Sequence, residues 1–230
     1  MIKSVLWDID GTILNFEKSE SYAVKKCFEL FSLGECTDDM IKRYSIINQK
    51  YWRRLEKGEL TKQQVLVMRF CEFFDSEGIV CSDVEGFNSE YQIRLGDTVF
   101  FNDDGYDLVG SLRGVVRQYA VTNGTAAAQD RKLARSGLDK LFDGIFISDK
   151  LGAEKPSVEF FDKVFSSIGG INKGETLIVG DSLTSDIRGG NNAGILCCWY
   201  NPSSAPLTGG LRVDYIINDL RQVKKIIADS

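Results

Sequence analysis

The 230 residues are 43% hydrophobic and 27% charged with a net charge of −5, the mix of a globular chain large enough for one domain carrying an insertion. That acidity argues against the basic face of a nucleic-acid polymer binder, and no apolar run reaches the roughly 20 residues of a membrane span. The chain contains no histidine, which excludes Ser-His-Asp and Cys-His hydrolysis and every His-ligated metal site.

The first element is the apolar run Val5–Trp7, which ends in Asp8-Ile9-Asp10-Gly11-Thr12. Two carboxylates one residue apart at a strand end repel each other and lose hydration, so the pair asks for a compensating divalent cation. Because the chain is already turning there, Asp8 and Asp10 can take different tasks, one attacking or binding metal and the other moving protons. The start runs straight into this strand without a secretory leader, so a cytoplasmic location is expected. The six cysteines show no C-x-x-C pair and are expected as small apolar packing residues, not as a zinc site or disulfide framework.

From Leu14 to about Leu95 the periodicity is helical throughout. Val24, Cys27, Phe28 and Phe31 share one face that stops near Gly34. Thr37 and the two aspartates after it open a second helix, striped by Tyr44, Ile47, Tyr51 and Leu55 and broken at Gly58. Thr61-x-x-Gln64 and Ser82-x-x-Glu85 are capping-box patterns for a third and a fourth. Four helices in succession form a small bundle with the aromatic stripes as its core. Lys50, Arg53, Arg54 and Lys57 read as the solvated side of a helix.

Beyond Phe100 strands and helices alternate: a helix near 104–113, strand 118–122, helix 126–136, strand 144–148, helix 157–168, strand 176–179, a helix to about Ala193, strands 195–200 and 215–217, and a closing helix 220–227. Such alternation implies a parallel sheet with right-handed crossovers, a Rossmann-like α/β core. Core residues 1–15 and 96–230 would flank a helical cap domain over 16–95.

All strand C-termini of a parallel sheet open on one edge, where ligands bind. The polar residues expected at that edge are Asp8 and Asp10, Thr122 and Asn123, Lys155, and Asp181 followed by Asp186. Together they form a phosphoryl-transfer site. Asp8 can attack phosphorus and share Mg2+ with Asp181, since hard oxygen ligands suit that ion. The Thr122 hydroxyl and the backbone around Asn123 can hold phosphate oxygens, Lys155 adds positive charge, and Asp10 can protonate the leaving oxygen and later deprotonate water.

D-I-D-G-T, V-T-N-G, the lysine of G-A-E-K-P and G-D-S-L-T-S-D resemble, in order, the four motifs of the haloacid dehalogenase (HAD) superfamily. The helical segment lies where the subclass I cap inserts. The resemblance implies an aspartyl-phosphate mechanism with Asp8 as nucleophile and Asp10 as acid/base. It also implies Mg2+ on Asp8, Asp181 and the backbone carbonyl of Asp10, with Asp186 supporting them from behind. Asp10 speaks against dehalogenase activity, whose members lack an aspartate there. N-Q-K-Y-W-R-R-L-E-K-G-E-L-T, Arg69-Phe70, L-G-A-E-K-P, G-G-N-N-A-G and C-W-Y-N are similar to the bacterial pyrimidine 5′-nucleotidase subgroup. Glu154 departs from the pattern, standing where a small apolar residue is commoner.

The expected activity is therefore hydrolysis of small phosphomonoesters, nucleoside 5′-monophosphates foremost. Asn48, Trp52 and Arg69 of the helical segment are candidates to bind or stack on a nucleoside, with packing in the bundle as the competing role for Trp52. Alternatives are a sugar-phosphate or phosphoglycolate phosphatase, a phosphomutase, and a binding protein that has lost turnover.

Overall fold

Six short runs rich in β-branched and aromatic residues become strands: β1 (Ser4–Trp7), β2 (Arg117–Thr122), β3 (Gly144–Ile147), β4 (Thr176–Gly180), β5 (Leu196–Tyr200) and β6 (Tyr215–Ile217). A computed structural model describes residues 1–230 and pairs them in parallel in the order β3-β2-β1-β4-β5-β6. In this register Leu6 lies beside Tyr119 on one side and Ile178 on the other. Alternate side chains of β1 feed two cores: Val5 and Trp7 join Leu108, Leu133 and Val179, while Leu6 joins Val121, Phe160, Phe161 and Ile178. A sheet covered on both faces needs apolar residues at every position, and β1 and β4 are buried throughout.

Between β1 and β2 the chain inserts α1 (Phe16–Leu30), α2 (Asp38–Glu56), α3 (Lys62–Glu77) and α4 (Val84–Leu95). Asp38 and Asp39 in the first turn of α2 and Arg53 and Arg54 in its last complement the helix dipole. The capping box expected at Thr61 and Gln64 is formed. That expected at Ser82 is not: Asp83 is the cap and accepts the N–H of Gly86 at 2.8 Å, so the helix starts one residue later on a carboxylate that also suits the dipole. The bundle has its own core of Phe28, Tyr44, Phe70, Phe73, Phe74, Phe87 and Tyr91. Phe70 meets Phe87 edge-on at 4.9 Å and stacks on Tyr44 at 5.0 Å. Such contacts add about 0.5–1.5 kcal/mol each beyond burial. Lys50 and Arg54 lie on the outside against Glu72 and Glu59.

The core helices are α5 (Gly105–Ser111), α6 (Ala126–Ser136), α7 (Ser148–Leu151), α8 (Val158–Ile168), α9 (Arg188–Ala193) and α10 (Val223–Ala228). The one-turn α7 is too short to leave a periodic signal in the sequence, and the strand expected to run through Ser148 ends at Ile147. The helix expected after Asp181 starts as a wide π turn over Leu183–Ile187 before tightening into α9. The bundle rests on the core through Gln92, whose carbonyl accepts the Thr125 hydroxyl at 2.8 Å, and through Lys62, which donates to Ser148 at 2.7 Å. No helix is long and apolar enough to cross a membrane.

Candidate active site

β1 is central, with β2 on one side and β4 on the other, so strand order reverses beside it. At such a switch point the connections leave in opposite directions and a crevice opens beyond the strand ends. Thr122 ends β2, Asp8 follows β1 and Asp181 follows β4, which brings three of the expected residues to one spot. The turn after Asp8 requires glycine: Gly11 has φ +90°, and a Cβ there would lie 2.7 Å from Asp181 Oδ2. Thr12, which the motif reading left without a role, ties the two loops together. Its Oγ1 lies 2.9 Å from Asp8 Oδ2 and 3.1 Å from Asp181 Oδ1, and accepts the Asp181 N–H at 3.1 Å.

Lys155 is 1% exposed and donates all three of its protons: to Asp8 Oδ1 at 2.7 Å, Asp186 Oδ1 at 2.7 Å and the Val121 carbonyl at 2.8 Å. Asn123 holds it in place. Its side-chain oxygen accepts the Lys155 N–H and its amide donates to the Lys155 carbonyl, both at 2.8 Å. The Asn123 side chain thus braces the lysine loop. Asp186 is pinned by the Ser182 N–H at 3.1 Å. The buried Thr122 hydroxyl accepts from the Gly124 N–H at 3.2 Å and keeps its own proton to donate.

Carboxylate oxygens of Asp8, Asp181 and Asp186 lie within 4.8 Å of one another, with one ammonium among them. Burial pushes the Asp8 carboxyl up to about 7, and the Asp186 charge adds to this against the pull of Lys155. Asp181 faces the crevice, yet the surrounding protein and then Asp8 and Asp186 push its carboxyl well above the usual range. Burial works against the Lys155 ammonium, but Asp186 and Asp8 outweigh it and hold it above an ordinary lysine. Three anions against one cation, all offering hard oxygen, is a donor set that fits Mg2+. Asp186 is 1% exposed and engaged through both oxygens by Lys155 and Ser182, whereas the single proton of the Thr12 hydroxyl can serve only one of Asp8 and Asp181 at a time.

Asp10 turns toward α6. Its carboxylate accepts from Gln129 Nε2 and from Lys132 Nζ, both at 2.6 Å. Neither partner was anticipated. Both are polar residues on a helix of strong amphipathic character, and only the fold shows that they face inward, each about 1% exposed.

Asn48, Arg69 and Trp52 stand away from these carboxylates' hydrogen bonds. Arg69 donates to Asn48 at 2.7 Å and to Asn88 at 3.1 Å, and its guanidinium lies over the rings of Phe70 and Tyr91. Asn48 donates to Glu20 at 2.7 Å. Trp52 packs against the small cluster of Tyr51, Leu55 and Val65.

The family model for haloacid dehalogenase-like hydrolases matches residues 2–194. The HAD-hydrolase YfnB of Bacillus subtilis is 35% identical over 225 residues, 98% of this chain and 95% of that protein. Its crystal structure, described as bound to magnesium and as revealing interdomain movement, superposes with a TM-score of 0.91 over 98% of both chains. The pyrimidine 5′-nucleotidase PynA of Streptococcus pneumoniae is 37% identical over 204 residues, 87% of this chain and 84% of that one. The pyrimidine 5′-nucleotidase YjjG of Escherichia coli is 25% identical over 223 residues, 97% and 96% of the two chains. The motif order, the sheet with its helical insertion and these matches agree: the chain belongs to the haloacid dehalogenase-like hydrolases.

Proposed function

We propose that the protein is a Mg2+-dependent phosphatase of small phosphomonoesters, with nucleoside 5′-monophosphates as its substrate class. One observation carries this reading: Asp8, held by Lys155 and Thr12, sits beside Asp181 at the sheet's switch point with Asp10 two residues on. The preference for nucleotides draws on the similarity to PynA and YjjG. Residues 16–95 act as the cap domain over a core of 1–15 and 96–230, hinged near Asn15–Phe16 and Leu95–Thr98. Its closure excludes bulk water.

Asp8 and Asp181 would hold Mg2+ together with the Asp10 carbonyl, and the bound ion supplies positive charge against the carboxylates and the phosphoryl oxygens. The Asp8 oxygen attacks phosphorus as the bond to the leaving oxygen breaks, and the Asp10 carboxyl gives its proton to that oxygen. Water then attacks the aspartyl phosphate, Asp10 takes its proton, and the bond from phosphorus to Asp8 breaks to regenerate the carboxylate. Gln129 and Lys132 fix the Asp10 group between the two transfers. Lys155 and the Thr122 proton offset charge on the phosphoryl oxygens, and Asp186 keeps Lys155 in place.

The test is phosphate release across nucleoside monophosphates, sugar phosphates and phosphoglycolate. Activity should stop with EDTA and return with Mg2+. Chelator-resistant turnover, or a panel with no nucleotide among its substrates, would contradict the reading.

Ligation requires ionised carboxylates, so metal binding competes with protons. With Asp8 raised to about 7, the metal-free fold binds more protons than the unfolded chain between about pH 4 and 7, and this contribution to stability falls as pH rises through that window. Added Mg2+ should therefore raise Tm more at pH 8 than at pH 5.5. Calorimetry showing equal shifts at both would place the ion elsewhere.

A further inference from the structure

A buried indole has one N–H to place, and Trp199 places it on the loop that carries Asp181. Trp199 lies on β5 beside Gly180 of β4, 4% exposed, in the same apolar cluster as Ile178 and as Ile187 of the π turn. Its Nε1 donates to the backbone carbonyl of Asp181 at 2.9 Å. The other end of that peptide unit, the Ser182 N–H, donates to Asp186 Oδ2 at 3.1 Å, and the Asp181 N–H donates to Thr12 Oγ1 at 3.1 Å. The backbone on both sides of Asp181 is therefore fixed, and only the torsions of its own side chain are left to turn.

The carboxylate needs such a hold. Oxygens of Asp8, Asp181 and Asp186 lie within 4.8 Å of one another, and like charges at that distance push their loops apart. Asp8 and Asp186 are both tied to the Lys155 ammonium. The Asp181 side chain has the Thr12 hydroxyl alone, so its place depends on its backbone. A peptide free to rotate between Asp181 and Ser182 would let the carboxylate swing into water, and reordering it around a cation would weaken metal binding.

We propose that Trp199 is a positioning residue of the metal site: its indole N–H holds the Asp181 peptide so that the carboxylate is in place for Mg2+ before the ion arrives. The proposal rests on the reading of Asp8 and Asp181 as Mg2+ ligands and adds a residue that touches neither ion nor substrate. Partners that orient a metal ligand from behind change metal affinity by about 10–100-fold.

The experiment follows Tm against Mg2+ concentration, which reads metal affinity without turnover, in wild type, in Trp199→Phe and with benzothienylalanine in place of Trp199. The last keeps the bicyclic shape and puts sulfur where the N–H stands, so it serves as the test if the phenylalanine variant misfolds. Both should need about tenfold more Mg2+ for the same rise in Tm, and about tenfold more for half-maximal phosphate release. Tyr200→Phe is the control for a purely structural loss. It deletes the 2.7 Å hydroxyl bond of the next β5 residue to Asp103, on the other face of the sheet. It should lower Tm in EDTA and leave the Mg2+ dependence of the shift as in wild type. An unchanged Mg2+ dependence in the Trp199 variants, or an equal weakening in Tyr200→Phe, would overturn the assignment. If wild type responds to Mg2+ in Tm but releases phosphate from no ester, the phosphatase reading fails and the Tm series still decides the role of Trp199. A wild type whose Tm ignores Mg2+ overturns the metal assignment and the role of Trp199 with it.

Discussion

Asp8→Asn should lower phosphate release by about 10⁴-fold or more, as expected for loss of a covalent nucleophile. The amide keeps the shape of the carboxylate, so its oxygen can still accept from Lys155, as Asp8 Oδ1 does at 2.7 Å, while its nitrogen faces the Thr12 hydroxyl, which can accept as well as donate. What it lacks is the charge needed to attack phosphorus. The same change should not destabilise the metal-free protein at pH 8. Asp8 has its carboxyl pushed up to about 7 by burial and by Asp186, so its ionised form is a burden on the fold at that pH. Removing the charge relieves the repulsion among Asp8, Asp181 and Asp186. An inactive protein whose Tm in EDTA matches or exceeds wild type is the expected pair of results, a site that gives up stability for chemistry. Wild-type turnover in the purified variant would remove Asp8 as the nucleophile.

The parts of this site that were legible in the sequence are those where chemistry and strand ends coincide. Asp8, Thr122 and Asp181 each follow or end an apolar run, and a parallel sheet sends all such ends to one edge. Lys155 was legible only through its motif, since nothing in a lone lysine before proline says that it is buried among carboxylates. Thr12, Gln129 and Lys132 were missed because their roles arise from contacts between distant segments. Lys132 reaches Asp10 across 122 positions, and no local pattern encodes that. Asn48 and Arg69, candidates for a substrate contact, bond each other and Glu20 within the bundle. The Asn123 side chain locks the loop of Lys155 across 32 positions, which no local pattern encodes either. Helix positions followed the aromatic stripes closely, whereas the cap at Asp83 and the π turn at Leu183–Ile187 depended on which neighbouring polar group took an N–H.

Lys155→Met should cost both activity and stability, and a second substitution should separate the two. The ammonium is 1% exposed and bonds Asp8 and Asp186, of which Asp186 is equally buried. Deleting one member of such a network leaves uncompensated buried charge, a loss of about 3–5 kcal/mol in the metal-free protein. Urea unfolding in EDTA at pH 8 would show it as a lower midpoint with little change in slope. Turnover should fall about 10²-fold or more, the usual effect of removing one preorganised electrostatic donor. In Lys155→Met/Asp186→Asn the isolated carboxylate beside the methionine becomes a neutral amide that can still accept the Ser182 N–H now taken by Asp186 Oδ2. Part of the stability should return, while activity stays as low as in the single variant, because no positive charge is restored next to Asp8. If the double variant regained activity along with stability, Lys155 would be a structural counter-ion for Asp186 and its place in the phosphoryl chemistry would be lost. If the single variant unfolded like wild type, the network around its three donated protons would not be what holds these loops together.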